Sequence, residues 1–226
     1  MEQDRALLSE VRSGQRSKPV LRFYEWNPPA VSYGYNQDIN ESVHLQAVKR
    51  LGYDIVRRPT GGRALLHKGD LCYAVVARRE WHPEFRTLGS TYRAIGGAHR
   101  RALGKLGVKS VETRQSLSKP SSPLSPCFAM LNPFEVTVGG RKICGSAQYR
   151  SAGAFLQHGS LRVYDIWTQS DLAELWPADI ALSRGSVTSL EEELGSRIAL
   201  AQIADIWSEA FAEVFQVDFD SDTKSE

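Results

Sequence analysis

The stretch FEVTVGGRKICGSAQYR, from Phe134 to Arg150, decides the fold. Two alternating runs, Phe134 to Val138 and Arg141 to Arg150, flank Gly139-Gly140, a two-residue step that tolerates positive φ at both positions and closes a β-hairpin. In that register Val138 faces Arg141 and Thr137 faces Lys142. Phe134, Val136, Val138, Ile143 and Gly145 then share an apolar face, and Glu135, Thr137, Lys142 and Cys144 share the other.

Outward from this hairpin, the chain alternates strands and helices and ends in helices. Upstream, Val20 to Trp26 reads as a strand ended by Asn27-Pro28-Pro29, and Val31 to Tyr35 as a second. Asp54 to Arg58 and Arg63 to His67 are strand-like around Pro59-Thr60-Gly61-Gly62, and Leu71 to Ala77 is a further strand. Downstream, Ala154 to Val163 follows the turn Ser151-Ala152-Gly153. Helical spacing runs over Asp4 to Val11, over Ser42 to Leu51 with Asn40 or Ser42 as cap and Gly52 beyond, and over Ser90 to Leu106, despite Gly96 and Gly97. Leu172 to Trp176, Leu190 to Leu194 and Leu200 to Phe215 are helical, and Asp218 to Glu226 is a polar tail. Arg114 to Pro126, rich in Ser and Pro, has no period and reads as a mobile loop. The order predicts an α+β fold, helices packed on a largely antiparallel sheet.

Composition narrows the function classes. A net charge of +2 on 226 residues gives no electrostatic footprint for nucleic acid. The longest apolar runs, such as Ala74 to Ala77, fall far short of a membrane span, and residues 1–16 have no signal-peptide core. Three cysteines without paired spacing argue against a disulfide framework and a zinc site. A cytoplasmic, reducing setting is expected, with neither nucleic acid nor membrane as partner.

Cys127 is the first candidate for chemistry. Free cysteines are commonly small buried residues, which suits Cys72 and Cys144 inside strands. Cys127 instead stands at a loop-to-strand junction, where reactive groups are displayed. Lys142 is either a solvated strand lysine or the wall of a cleft, where its ammonium would favour a thiolate. Gly61-Gly62 is either a tight turn or a place where backbone approaches a ligand. Gly145-Ser146-Ala147 leaves room inside a strand, and Gln157-His158-Gly159 interrupts another; His158 by itself reads as a satisfied structural histidine.

Taken together, RFYEWNPPAVSYGYNQ (Arg22 to Gln37), RRPTGGRALLH (Arg57 to His67), PCF (Pro126 to Phe128), GRKICGSAQYR (Gly140 to Arg150) and LQHGSL (Leu156 to Leu161) resemble the lipoate–protein ligase and octanoyltransferase superfamily. Within it the chain looks most like the cysteine-dependent octanoyltransferases, which carry the same PCF cysteine ahead of the lysine of a GRK-x-x-GSAQ segment. The resemblance implies a biotin/lipoate protein ligase-type catalytic domain over residues 1–217, helical from about 168, with 218–226 as a tail. It implies Cys127 and Lys142 as the catalytic pair. It also implies an acyl pocket lined by Arg58, Thr60, Gly61, Gly62, Arg63 and His67, and by Gly145, Ser146, Ala147, His158 and Gly159.

The implied reaction moves an octanoyl group from octanoyl–acyl carrier protein, through a Cys127 thioester, to a lipoyl-domain lysine such as that of glycine cleavage H protein, with no metal or nucleotide cofactor. Three alternatives stay open: an ATP-dependent lipoate ligase, an amidotransferase between lipoyl domains, and a non-catalytic acyl- or carrier-binding protein. Two features favour transferase over ligase. The C-terminal helical part is short, and Arg63 stands where ligases tend to have a third glycine. Relatives also begin with a further strand before the helix that opens here at Met1, which implies a misassigned start or a trimmed sheet.

Overall fold

The computed structural model describes residues 1–113, 135–176 and 186–220. The expected Ser/Pro loop of 114–126, Cys127, Phe134 and the end of the tail, 221–226, lie outside the described residues.

The chain opens with α1 (Glu2–Ser13), β1 (Val20–Tyr24), β2 (Ala30–Tyr33), α2 (Ile39–Ser42), α3 (Leu45–Arg50), β3 (Asp54–Arg57), β4 (Leu65–His67) and β5 (Asp70–Arg78). It continues with α4 (Leu88–Lys105), β6 (Val111–Thr113), β7 (Val136–Val138), β8 (Arg141–Ser151), β9 (Ala154–Arg162), α5 (Gln169–Leu175), α6 (Leu190–Leu194) and α7 (Leu200–Phe215). Six strands form an antiparallel sheet in the order β1-β5-β9-β8-β7-β6. Three form a small sheet, β3-β2-β4, with β2 parallel to β3 and antiparallel to β4. The α+β expectation holds. Among the described residues no helix is long and apolar enough to cross a membrane.

The two faces of the large sheet differ. One packs on α4 and α7, where Ile95, Ala102, Leu103, Trp207 and Phe211 meet Tyr73, Val136, Val138 and Phe155 in the main core. The other meets α1 through Leu8, Val11, Ala74, Val76 and Leu156. Alternation along β8 and β9 therefore sends every second side chain to the helices and the rest toward α1 and the polar groups described below.

Three expectations need correction. Ser42 to Leu51 is not one helix. Val43 and His44 are extended, and His44 N–H donates to Leu175 O at 3.0 Å. Asp38, rather than Asn40 or Ser42, caps α2, accepting from Asn40 N–H at 2.9 Å. Second, Pro59 to Gly62 does not close a tight turn between neighbouring strands, because β3 and β4 lie on opposite sides of β2. The loop crosses over β2 so closely that a Cβ on Gly34 would stand 2.0 Å from Gly62 O, and Gly62 has φ +99°.

The third correction concerns the Gly139-Gly140 hairpin. It forms, and Thr137 faces Lys142 and Val138 faces Arg141. One residue further the register jumps, so that Val136 faces Cys144 and Ile143 is bulged out of the pairing. The slip exchanges faces: Cys144 joins the main apolar core, and Gly145 moves to the face of Lys142. Spacing alone had placed each on the opposite face.

Candidate active site

Lys142 is fully buried, which ends the solvated-strand alternative. Its Nζ donates to Glu135 Oε1 at 2.5 Å, across the hairpin on the polar face that Thr137 shares. A buried ammonium needs such a partner, since removing a charge from water costs several kcal/mol. Gly145 makes the space: a Cβ there would lie 2.9 Å from Lys142 Cε and 3.1 Å from Nζ. Along the same face follow Ala147 and, opposite it on β9, His158; Ser160 stands opposite Gly145. β9 runs unbroken through His158 and Gly159.

Two histidines tie this face to the small sheet and its crossover loop. His158 Nε2 is 2.7 Å from Thr60 Oγ1, and its Nδ1 is 3.3 Å from Asp4 Oδ2 on α1. Burial pushes the His158 imidazole below its ordinary value despite the neighbouring carboxylate. Burial would raise Asp4, but the hydrogen bond and charge of His158, together with Arg22, more than offset it and hold the carboxyl below its usual range. The Arg22 guanidinium, 2.9 Å from Asp4, adds its charge to that effect.

His67 stands in the second link. Arg58 Nη1 donates to Ser32 Oγ at 2.6 Å, and Ser32 Oγ lies 2.7 Å from His67 Nε2. His67 Nδ1 lies 2.7 Å from Asp70 Oδ2, and Trp26 stacks on the ring. Asp70 also accepts a hydrogen bond from Ser160. Arg58 Nη2 donates to Arg63 O at 2.7 Å and braces the loop that carries Thr60, Gly61 and Gly62.

Lys142, Gly145, Ala147, His158, Thr60, Arg58 and His67 are thus joined through the inner face and the crossover loop. Ser146 and Gly159 point away: Ser146 Oγ bonds Tyr73 Oη at 2.7 Å on the helix side, and a Cβ on Gly159 would strike the Tyr73 ring at 2.5 Å. Cys127 lies outside the described residues. Burial raises the Cys72 thiol well above its ordinary value and pushes Cys144 up to about 12, so both are poor nucleophiles.

Among the described residues, His67 Nδ1, Asp70 Oδ2 and Cys72 Sγ lie within 4.8 Å of one another and could together hold a metal ion. Each is already hydrogen-bonded within the group, and a cation would have to displace those bonds. Asp4, Ser32 and Asp70 were not singled out from sequence. The H-x-x-D spacing of His67 and Asp70 could have flagged one of them; Asp4, 154 residues from His158, left no local signal.

A family model described as "Lipoyl protein ligase A/B catalytic domain" matches residues 1–212. Octanoyltransferase LipM of Symbiobacterium thermophilum is 40% identical over 205 residues, covering 86% of this chain and 74% of the relative. Octanoyltransferase LipM of Moorella thermoacetica is 35% identical over 224 residues, covering 96% and 81%. Among solved structures, a lipoate-protein ligase A bound with ATP superposes with a TM-score of 0.75 at 25% identity, covering 98% of this chain and 83% of that one.

Proposed function

Because the chain belongs to the lipoyl protein ligase A/B catalytic-domain family, we propose that it transfers an octanoyl group from octanoyl–acyl carrier protein to a lipoyl-domain lysine, such as that of glycine cleavage H protein, in lipoate biosynthesis. Residues 1–217 act as the catalytic domain. The observation that carries the reading is Lys142: a fully buried ammonium paired with Glu135 over a side-chain-free Gly145. Most of the relatives' length is matched, and they are octanoyltransferases by name.

Cys127 thiolate attacks the thioester carbonyl, and the carrier thiolate leaves and takes a proton from Lys142, giving a thioacyl–enzyme and a neutral lysine. The acceptor lysine then attacks as the free amine and passes a proton to Lys142, and Cys127 thiolate leaves beside the restored ammonium. Each step exchanges one acyl bond for another, and the proton returns to where it began. Glu135 holds Lys142 in place throughout. The acyl chain lies along the inner face by Ala147, His158 and the Thr60-to-Gly62 loop. No metal or nucleotide takes part.

Intact mass spectrometry tests this. Mixing the protein with octanoyl–acyl carrier protein, without ATP or magnesium, adds one octanoyl group that hydroxylamine removes and a lipoyl domain accepts. A requirement for ATP and free octanoate would establish the ligase alternative. Transfer only from another octanoylated lipoyl domain would establish the amidotransferase.

A further inference from the structure

We propose that His67, Asp70 and Cys72 form a structural binding site for Zn²⁺, outside the acyl-transfer chemistry. The three cysteines lack paired spacing, and this group uses only one of them, with an imidazole and a carboxylate.

Local structure brings the three donors together. His67 ends β4, and Asp70 opens β5 after Lys68-Gly69, a step in which Gly69 has φ +77°. Asp70 and Cys72 stand two apart on one strand and so share a face. All three side chains are buried. Nδ1 of His67 lies 2.7 Å from Asp70 Oδ2, and Cys72 Sγ lies 3.4 Å from that nitrogen and 3.6 Å from that oxygen. Zn²⁺ takes N, O and S donors at about 2.0–2.3 Å in a tetrahedron, which sets the donors about 3.4–3.6 Å apart. Both edges to sulfur already have that length. The nitrogen–oxygen edge opens by about 0.7 Å as the cation replaces the hydrogen bond. A thiolate and a carboxylate carry two negative charges and a neutral imidazole none, so Zn²⁺ leaves this buried group without net charge. Binding sends the Cys72 proton to solvent.

Each donor also has a supporting group behind it, as metal ligands require. His67 Nε2 is 2.7 Å from Ser32 Oγ, so with Nδ1 on the cation the ring proton faces that hydroxyl. Asp70 accepts from Ser160, the cross-strand neighbour of Cys72. Trp26 supplies the third support. Its indole stacks on His67 with ring centres 5.4 Å apart. Its Nε1–H is buried, and among the described residues it makes no hydrogen bond of ordinary geometry. Burial and the Asp70 charge raise the Cys72 thiol, and the Trp26 N–H opposes them by favouring the sulfur anion. A neutral thiol is a weak acceptor, whereas a metal-bound thiolate is charged and satisfies the indole. This orphaned donor beside the sulfur separates the group from a plain hydrogen-bonded cluster, in which buried donors are satisfied. Trp26 is partly exposed and covers the imidazole, so an ion's way in runs past it. Ser32 accepts from Arg58 as well, and the bound ion thereby stiffens the bracing of the Thr60-to-Gly62 loop.

The test titrates chelator-treated protein with Co²⁺, which takes the place of Zn²⁺ and reports a thiolate ligand as a charge-transfer band in the near ultraviolet. The proteins are the wild type, Cys72→Ser, Cys144→Ser, Cys127→Ser and Trp26→Phe. The band should saturate at one equivalent in the wild type, persist in Cys144→Ser and Cys127→Ser, vanish in Cys72→Ser, and disappear when Zn²⁺ displaces Co²⁺. Trp26→Phe keeps the stacked ring and loses only the N–H, so it should keep the band and bind Co²⁺ about tenfold more weakly. Zn²⁺ should raise the melting midpoint of the wild type and leave that of Cys72→Ser where it was. Trp26→Phe reads the site even if Cys72→Ser folds poorly. No band in the wild type, a band that survives Cys72→Ser, or one lost with Cys127→Ser or Cys144→Ser overturns the site. Wild-type affinity in Trp26→Phe overturns the part given to the indole.

Discussion

Gly145 lies against the Lys142 ammonium, on the same face and close enough that a Cβ would stand 3.1 Å from Nζ and 2.9 Å from Cε. A methyl group there displaces either the lysine or the strand. Gly145→Ala should therefore slow thioacyl–enzyme formation by about a hundredfold, the scale of a misplaced catalytic group. Melting should show an overpacking cost of only about 1–3 kcal/mol. Stopped-flow acylation and a melting curve give the two numbers; wild-type acylation in the variant would mean the lysine needs no such clearance.

The Lys142–Glu135 pair is buried at both ends. Lys142→Met leaves the Glu135 carboxylate without its ammonium partner and should cost about 3–5 kcal/mol in urea unfolding, while the double variant with Glu135→Leu should regain much of that. On the proposed mechanism the single variant should also raise the pH midpoint for alkylation of Cys127 by iodoacetamide, because it removes the ammonium proposed to favour the thiolate. Coincident pH profiles in wild type and Lys142→Met would detach the lysine from the cysteine's ionisation.

The chain has three cysteines, and two of them are sealed in the sheet. With its thiol pushed up to about 12 by burial, Cys144 stays protonated at pH 8. Iodoacetamide at pH 8 should therefore label the native protein once, on Cys127, and reach Cys72 and Cys144 only in denaturant. Cys72→Ser and Cys144→Ser should keep the octanoyl adduct and Cys127→Ser should lose the hydroxylamine-sensitive one. A native label or adduct on either buried cysteine would defeat the assignment.

His99 lies in the main core, where its Nδ1 accepts from Trp207 Nε1 at 2.8 Å and Tyr73 packs against its ring. Burial lowers it from 6.5 to about 3. The unfolded chain thus binds a proton between those values that the folded protein refuses. The sign follows: the stability present above pH 6.5 is lost as pH falls toward 3, by up to about 1.4 kcal/mol per pH unit from this one group. Urea midpoints from pH 7.5 to 4.5 should fall less steeply in His99→Phe. Parallel slopes would mean that other groups, such as the buried His158, account for the acid loss.

The sequence by itself determined most of the local structure and the family, although it ran residues 42–51 together as one helix. Gly139-Gly140 specified its hairpin because two consecutive positive φ values, +55° and +78°, suit glycine. The helix Leu200 to Phe215 followed from its spacing, and both ends agree with the structure. The motifs around Arg58, Lys142 and His158 pointed to the family that residues 1–212 match. Only the tertiary structure decided which face each residue serves. The bulge at Ile143 slips the register by one, and with a side-chain period of two that exchanges Cys144 and Gly145 between core and site. Crossing of β2 by the Thr60 loop, burial of Lys142 and the meeting of Asp4 with His158 and of Ser32 with His67 depend on contacts between distant segments. No local pattern encodes such contacts, because a buried polar group is stabilised by whichever partner the whole fold brings to it.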